Sequence, residues 1–125
     1  MSAFTKINLK ELDASGSAGV AARFARQQLD SEHLGVSHFR YEPGHRNTMG
    51  HSHGEQEEVY VVIEGSGRIK LDDDIVGLRK WDVVRVAPST VRAFEAGADG
   101  LEVLAIGSDR PEGGDGKRVE GWWVD

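Results

Sequence analysis

Turn-forming clusters punctuate the middle of this chain at short intervals, and that punctuation constrains the fold more than any other feature. Pro43-Gly44, Gly65-Ser66-Gly67, Asp72-Asp73-Asp74, Pro88-Ser89-Thr90 and Gly97-Ala98-Asp99-Gly100 all carry turn chemistry. Glycine takes φ > 0 freely, proline fixes φ, and Asp or Ser bonds its own backbone. Sixteen of the 125 residues are glycine, against a usual share of ~7%. Between the clusters lie runs rich in β-branched residues. They predict strands at Val36–Glu42, Thr48–His53, Glu57–Glu64, Arg68–Leu71, Ile75–Arg79, Asp82–Val86, Val91–Ala96 and Leu101–Ile106. Short strands with turns between them predict an all-β sandwich or barrel. Asp72–Asp74 reads as a solvated hairpin turn.

The ends of the chain read differently. Ala21–Leu29 holds strong helix formers, yet Ala22 and Phe24 alternate with Arg23 and Ala25, as in a strand. Gly107–Arg118 is rich in Gly, Asp and Pro and reads as a mobile linker. Trp122 and Trp123 follow it. Two exposed indoles are costly, so residues 119–125 are expected to dock on the body. The length fits one domain spanning residues 1–125, with a barrel core over about 20–107.

Composition narrows the chemistry. There is no cysteine, which excludes a disulfide scaffold, thiolate metal ligands and a thiol nucleophile. The net charge of −6 is a poor match for nucleic-acid binding, which needs a basic footprint. No apolar run approaches the ~18 residues of a membrane span, and Met1–Lys6 lacks the apolar stretch of a signal peptide. A cytoplasmic location is the default expectation.

His51-Ser52-His53 is the sharpest chemical feature. In a strand, residues i and i+2 share a face, so two imidazoles can converge on one metal. Glu58 follows at an odd offset from His53. One continuous strand would place it on the opposite face, so the Gly54-Glu55-Gln56 turn must reset the parity and bring Glu58 in from a neighbouring strand. Glu57 is a rival ligand; Glu58 directly precedes the apolar strand. Two nitrogens and a carboxylate suit Zn, Ni, Fe, Mn or Cu. The alternative is a polar interior in which the histidines bond each other, water and Glu58 without metal. His38 reads as structural, His33 as surface, and His45 and Arg46 as loop surface near a barrel mouth.

These residues carry a resemblance. Gly44…His51-x-His53-x₄-Glu58-x₆-Gly65 resembles the first motif of the small single-domain cupins, with one extra residue after Gly44. The likeness covers about residues 34–107. It implies a double-stranded β-helix, or jelly-roll barrel, with His51, His53 and Glu58 as metal ligands. Trp81-Asp82 through Pro88 to Phe94 is similar to the second cupin motif, but Arg92 stands where the fourth ligand, a histidine, is expected. Arginine stays protonated and cannot ligate a metal. Arg92 shares a strand face with Phe94, so both are expected to point inward.

Three readings of Arg92 follow: a buried pair with Glu58, an anchor for an anionic ligand, or an arginine swung outward. Tyr60 shares the face of Glu58 and is expected to line the same cavity, so Arg92, Tyr60 and Phe94 are the candidate ligand-binding residues. The resemblance also implies a homodimer. It favours Ala22–Leu29 as a strand paired with Val36–Glu42 across an Asp30–Leu34 turn. Functionally it implies a barrel that binds a small polar or anionic molecule, with dioxygenase, isomerase or lyase chemistry if it is an enzyme. The alternatives are a metal-free binding or sensing module built around an Arg92–Glu58 pair, and a dimer serving protein interaction.

Overall fold

The β-branched runs form one curled antiparallel sheet of eight strands, β1 to β8. They are β1 (Val20–Phe24), β2 (Gly35–Tyr41), β3 (Gly50–His53), β4 (Glu58–Leu71), β5 (Asp74–Arg79), β6 (Val83–Val86), β7 (Arg92–Gly107) and β8 (Gly116–Val119). The structure, a computed structural model, describes residues 3–109 and 111–125. Met1 and Ser2, and Arg110 within the stretch read as a linker, lie outside the described residues.

Two long strands organise the barrel. β7 pairs with β2 on one side and with β4 on the other, and its first residue, Arg92, sits opposite both His51 and Leu71. β4 runs on to pair with β6 through its first half and with β5 through its second. The interior face is apolar: Tyr41, Tyr60, Val62, Ile69, Phe94, Leu101 and Val103 pack there, all buried.

The structure corrects three expectations. Glu57–Glu64 and Arg68–Leu71 are one strand, β4, and Val91–Ala96 and Leu101–Ile106 are one strand, β7. The Gly-rich segments between them are bends, where register shifts fall between Val62/Glu64 and Gly65/Gly67. Gly65 has φ +77°, and a Cβ there would overlap the Gly100 carbonyl oxygen. Glycine lets the two backbones approach while the paired strands curl, as at a β-bulge.

The N-terminal segment divides rather than extending. β1 pairs with β2 from Val20↔Tyr41 to Phe24↔Ser37, and Arg26–Leu29 then turns as a short helix, α1. Asp30 ends it at φ 55°, a left-handed cap. The strand reading holds for the alternating half, and local helix propensity prevails past Ala25.

Finally, the stretch read as a linker ends in β8, which pairs with β3 from Gly50↔Val119 to His53↔Gly116. The tail beyond it packs on the sheet. The Trp123 indole N–H donates to the Asn47 carbonyl at 2.7 Å, and the Lys70 ammonium sits 3.8 Å from the centre of the Trp122 ring. Trp123 also lies under the Arg46 and Arg68 guanidinium groups.

Candidate metal and ligand site

The odd offset between His53 and Glu58 is resolved by a change of strand. His51 and His53 lie on β3, Glu58 begins β4, and the intervening turn reverses the chain. One nitrogen from each histidine and one Glu58 oxygen all lie within 4.8 Å of one another. Glu58 Oε1 is 3.2 Å from His53 Nε2 and 3.7 Å from His51 Nε2. The two imidazole rings meet edge to face at 5.3 Å. Glu57 points elsewhere, toward the exposed Arg85.

A residue from the supposed linker completes this group. Asp115 Oδ1 lies 2.8 Å from His53 Nδ1, while its Oδ2 accepts the backbone N–H groups of Glu55 and Gln56. Burial pushes the Asp115 carboxyl up, but those bonds outweigh it and hold it well below the usual range. An ionised Asp115 has no proton to give, so His53 donates from Nδ1 and its Nε2 is the atom turned toward the site. A carboxylate that fixes the outer nitrogen in this way is the usual support of a metal-binding histidine. The donor set therefore fits a divalent cation: two imidazole nitrogens and a carboxylate, one imidazole already oriented. No pattern in the sequence marks Asp115, because it lies in a Gly-rich stretch far from the motif.

Behind the group stands Arg92, fully buried. Its Nη2 donates to Glu58 Oε1 at 2.6 Å and its Nε to the Tyr60 hydroxyl at 3.1 Å. Its Nη1 donates to the Pro88 and Thr90 carbonyls. The second-motif turn supplies those acceptors, closed by Thr90 N–H to the Ala87 carbonyl. Tyr60 in turn donates to Glu58 at 2.7 Å. Burial, with the Glu58 charge beside it, pushes the Tyr60 hydroxyl well above its ordinary range, so it remains a donor. Burial pushes Glu58 up as well. Hydrogen bonds from His51, Tyr60 and Arg92, and the Arg92 charge, outweigh that and set it at about 2.

Arg92 points inward, so the outward reading does not hold. It lines neither cavity at the site, and four of its five N–H groups are engaged, so a direct anchor role does not fit its position. One cavity, of about 350 Å³, is bordered by Phe24, Ser37, His53, Gln56 and Asp115. The other, of about 630 Å³, is bordered by Tyr41, Met49, Tyr60, Phe94 and Arg118. His51, Glu58 and Phe39 line both. His45 and Arg46, read as loop surface, line the second cavity as well. His38 is buried away from the site, 2.9 Å from Glu102. His33 is exposed beside Asp109.

This curled antiparallel sheet superposes on many solved structures. An oxalate decarboxylase variant of B. subtilis superposes with a TM-score of 0.79 at 20% identity, over 96% of this chain and 33% of that one. A cupin protein of Bacteroides fragilis gives 0.72 at 21% identity, over 100% of this chain and 91% of that one. The fold is that of the cupins. A cupin-superfamily sugar phosphate isomerase of Silicibacter pomeroyi also matches, with a TM-score of 0.71 at 20% identity over 85% of this chain and 76% of that one. In sequence, an uncharacterized protein of Methanocaldococcus jannaschii is 33% identical over 48 residues, 38% of each chain. No family profile matches the sequence. Among the described residues, no helix is long and apolar enough to cross a membrane.

Proposed function

We propose that this cupin binds a small polar molecule in its barrel through a divalent metal held by His51, His53 and Glu58. His53 carries the reading. Asp115 takes its Nδ1–H at 2.8 Å and so turns Nε2 toward the site. Nε2 then faces a Glu58 oxygen at 3.2 Å, so two ligand atoms from two strands stand where a cation between them would bind both. When bound, the metal supplies a Lewis acid or an oxygen-activating centre. Of the dioxygenase, isomerase and lyase reactions open to such a barrel, the neighbours named as an oxalate decarboxylase and a sugar phosphate isomerase support a lyase or isomerase reaction on a small polar substrate. In that reaction Tyr60 and Phe94 would border the substrate, and Tyr60 would keep its proton and donate a hydrogen bond to Glu58.

Metal analysis of protein purified without added metal or chelator tests this. About one equivalent is expected in the wild type, with loss in His51→Ala. Sub-stoichiometric metal that His51→Ala leaves unchanged would overturn the proposal.

The 2.6 Å bond between Arg92 and Glu58 favours a second reading. Here the guanidinium supplies the only cation that Glu58 needs, and the barrel is a metal-free binding or sensing module. A saturable small-molecule complex formed equally well in chelator would decide for it. In either case we propose a homodimer, supported by the apolar outer face where Val83, 63% exposed, stands opposite Val61 beside the exposed Trp81.

A further inference from the structure

His51 is flanked by two arginines in the sheet. Arg92 on β7 and Arg118 on β8 are its register partners on either side. Side chains directly opposite across antiparallel strands share a face, with Cβ atoms ~5 Å apart. Arg118 thus stands on the face from which His51 enters the site, and it lines the larger cavity.

The two arginines are used differently. Arg92 is buried and engaged by Glu58, Tyr60 and two carbonyls. Arg118 is exposed at the cavity wall. Among the described residues no carboxylate holds it in an ion pair. The third guanidinium nearby, Arg46, is taken up by Glu95 and Asp125.

The charge of the larger cavity follows from these pairings. Glu58 is the acidic residue of its lining, and Arg92 neutralises it from behind. His45, His51 and Arg118 remain. A chain of net charge −6 therefore presents a guanidinium that no carboxylate among the described residues pairs, on the wall of the larger of the two cavities at the site, together with the aromatic rings of Tyr41 and Phe94. A planar guanidinium with free N–H groups matches the paired oxygens of a carboxylate or phosphate.

We infer that Arg118 is the anion-recognising residue of this site, and that the ligand is a small molecule bearing a carboxylate or phosphate group. The inference rests on the cavity being the binding site proposed above. It moves the anionic anchor from Arg92, which sequence position alone suggests, to the arginine on the other side of His51.

The test uses metal-free, ¹⁵N-labelled full-length protein, titrated separately with inorganic phosphate and with succinate and followed by amide shifts. Saturable shifts are expected at Gly50–His53 and Gly116–Val119. The tighter of the two probes identifies the anion class. Arg118→Gln should weaken binding at least tenfold, and Arg118→Lys should fall between, keeping charge without the planar fork. Arg79→Gln, an exposed arginine on β5, should leave it unchanged.

Absence of saturable shifts with both probes would overturn the inference. So would an Arg118→Gln dissociation constant within twofold of wild type, or an equal loss in Arg79→Gln. Metal content measured on the same Arg118→Gln sample should match wild type. Anion binding that persists in a wild type unable to hold metal would leave Arg118 as the anchor while the metal reading fails.

Discussion

Arg92 spends its guanidinium on structure. Its ion pair with Glu58 is buried, and such pairs add little net stability, whereas removing one partner strands the other. Arg92→Ala leaves the Glu58 carboxylate buried with only Tyr60 and the two histidines. It should lower unfolding free energy by about 3–5 kcal/mol, measured by denaturant titration at neutral pH. On the metal reading proposed above, Asp115 acts through His53, whose Nδ1 it bonds at 2.8 Å. Asp115→Asn frees the imidazole tautomer and should weaken metal affinity ~10–100-fold. Competition with a chromophoric chelator measures this, and an unchanged affinity would remove Asp115 from the site. The His-x-His pair was legible because a strand's period of two leaves little choice of face. Asp115 was not, because hydrogen bonds to the Glu55 and Gln56 amides define its role and those depend on where β8 lands.

At the scale of elements, the bends in β4 and β7 make a barrel out of what reads as four separate strands. Turn chemistry and bulge chemistry use the same residue, glycine, so composition cannot separate them. What separates them is the β4–β7 ladder, which continues on both sides of Gly65. Gly65→Ala meets both a positive φ and the Gly100 carbonyl. It should cost about 1–3 kcal/mol, seen as a lower melting temperature with native-like circular dichroism if the fold persists.

The C-terminal tail is held by a charged cluster. Arg46 and Arg68 both bond Glu95, and both reach Asp125. Burial raises the Glu95 carboxyl, but the two arginines outweigh it and hold it below its ordinary value of 4.5. A carboxylate lowered in the fold contributes stability above its unfolded pKa and loses it as pH falls through the folded value. Stability should therefore be level above about 4.5 and decline below it. The tryptophan emission of the tail should shift in the same range. Glu95→Gln should flatten that acid limb, and a limb of unchanged slope would assign it to other carboxylates.

For the molecule as a whole, two surfaces remain to be accounted for. The cavity wall carries the Arg118 guanidinium, which no carboxylate among the described residues pairs, and the outer sheet face carries Trp81 and Val83. Among the described residues, the N-terminal segment lies along β1, where the Arg23 guanidinium bonds the Leu12 carbonyl and Ser15 pairs with Ala22. On the proposed homodimer, Val83→Glu places a charge opposite Val61 at the interface and should convert a dimeric sedimentation profile to a monomeric one. A monomeric wild type would count against the dimer.

The sequence by itself determined the all-β class, and it pointed to the convergence of His51, His53 and Glu58 and to an inward Arg92. These follow from local period, residue chemistry and motif spacing, which act over a few positions. Tertiary structure alone decided the rest. The turn after β6 presents two carbonyls to Arg92, and this commits it to Glu58 and Tyr60. The pairing of β8 with β3 brings Asp115 to His53 and Arg118 beside His51, across more than sixty residues of chain. Strand pairing at that separation depends on how the whole sheet curls, and no local pattern encodes it.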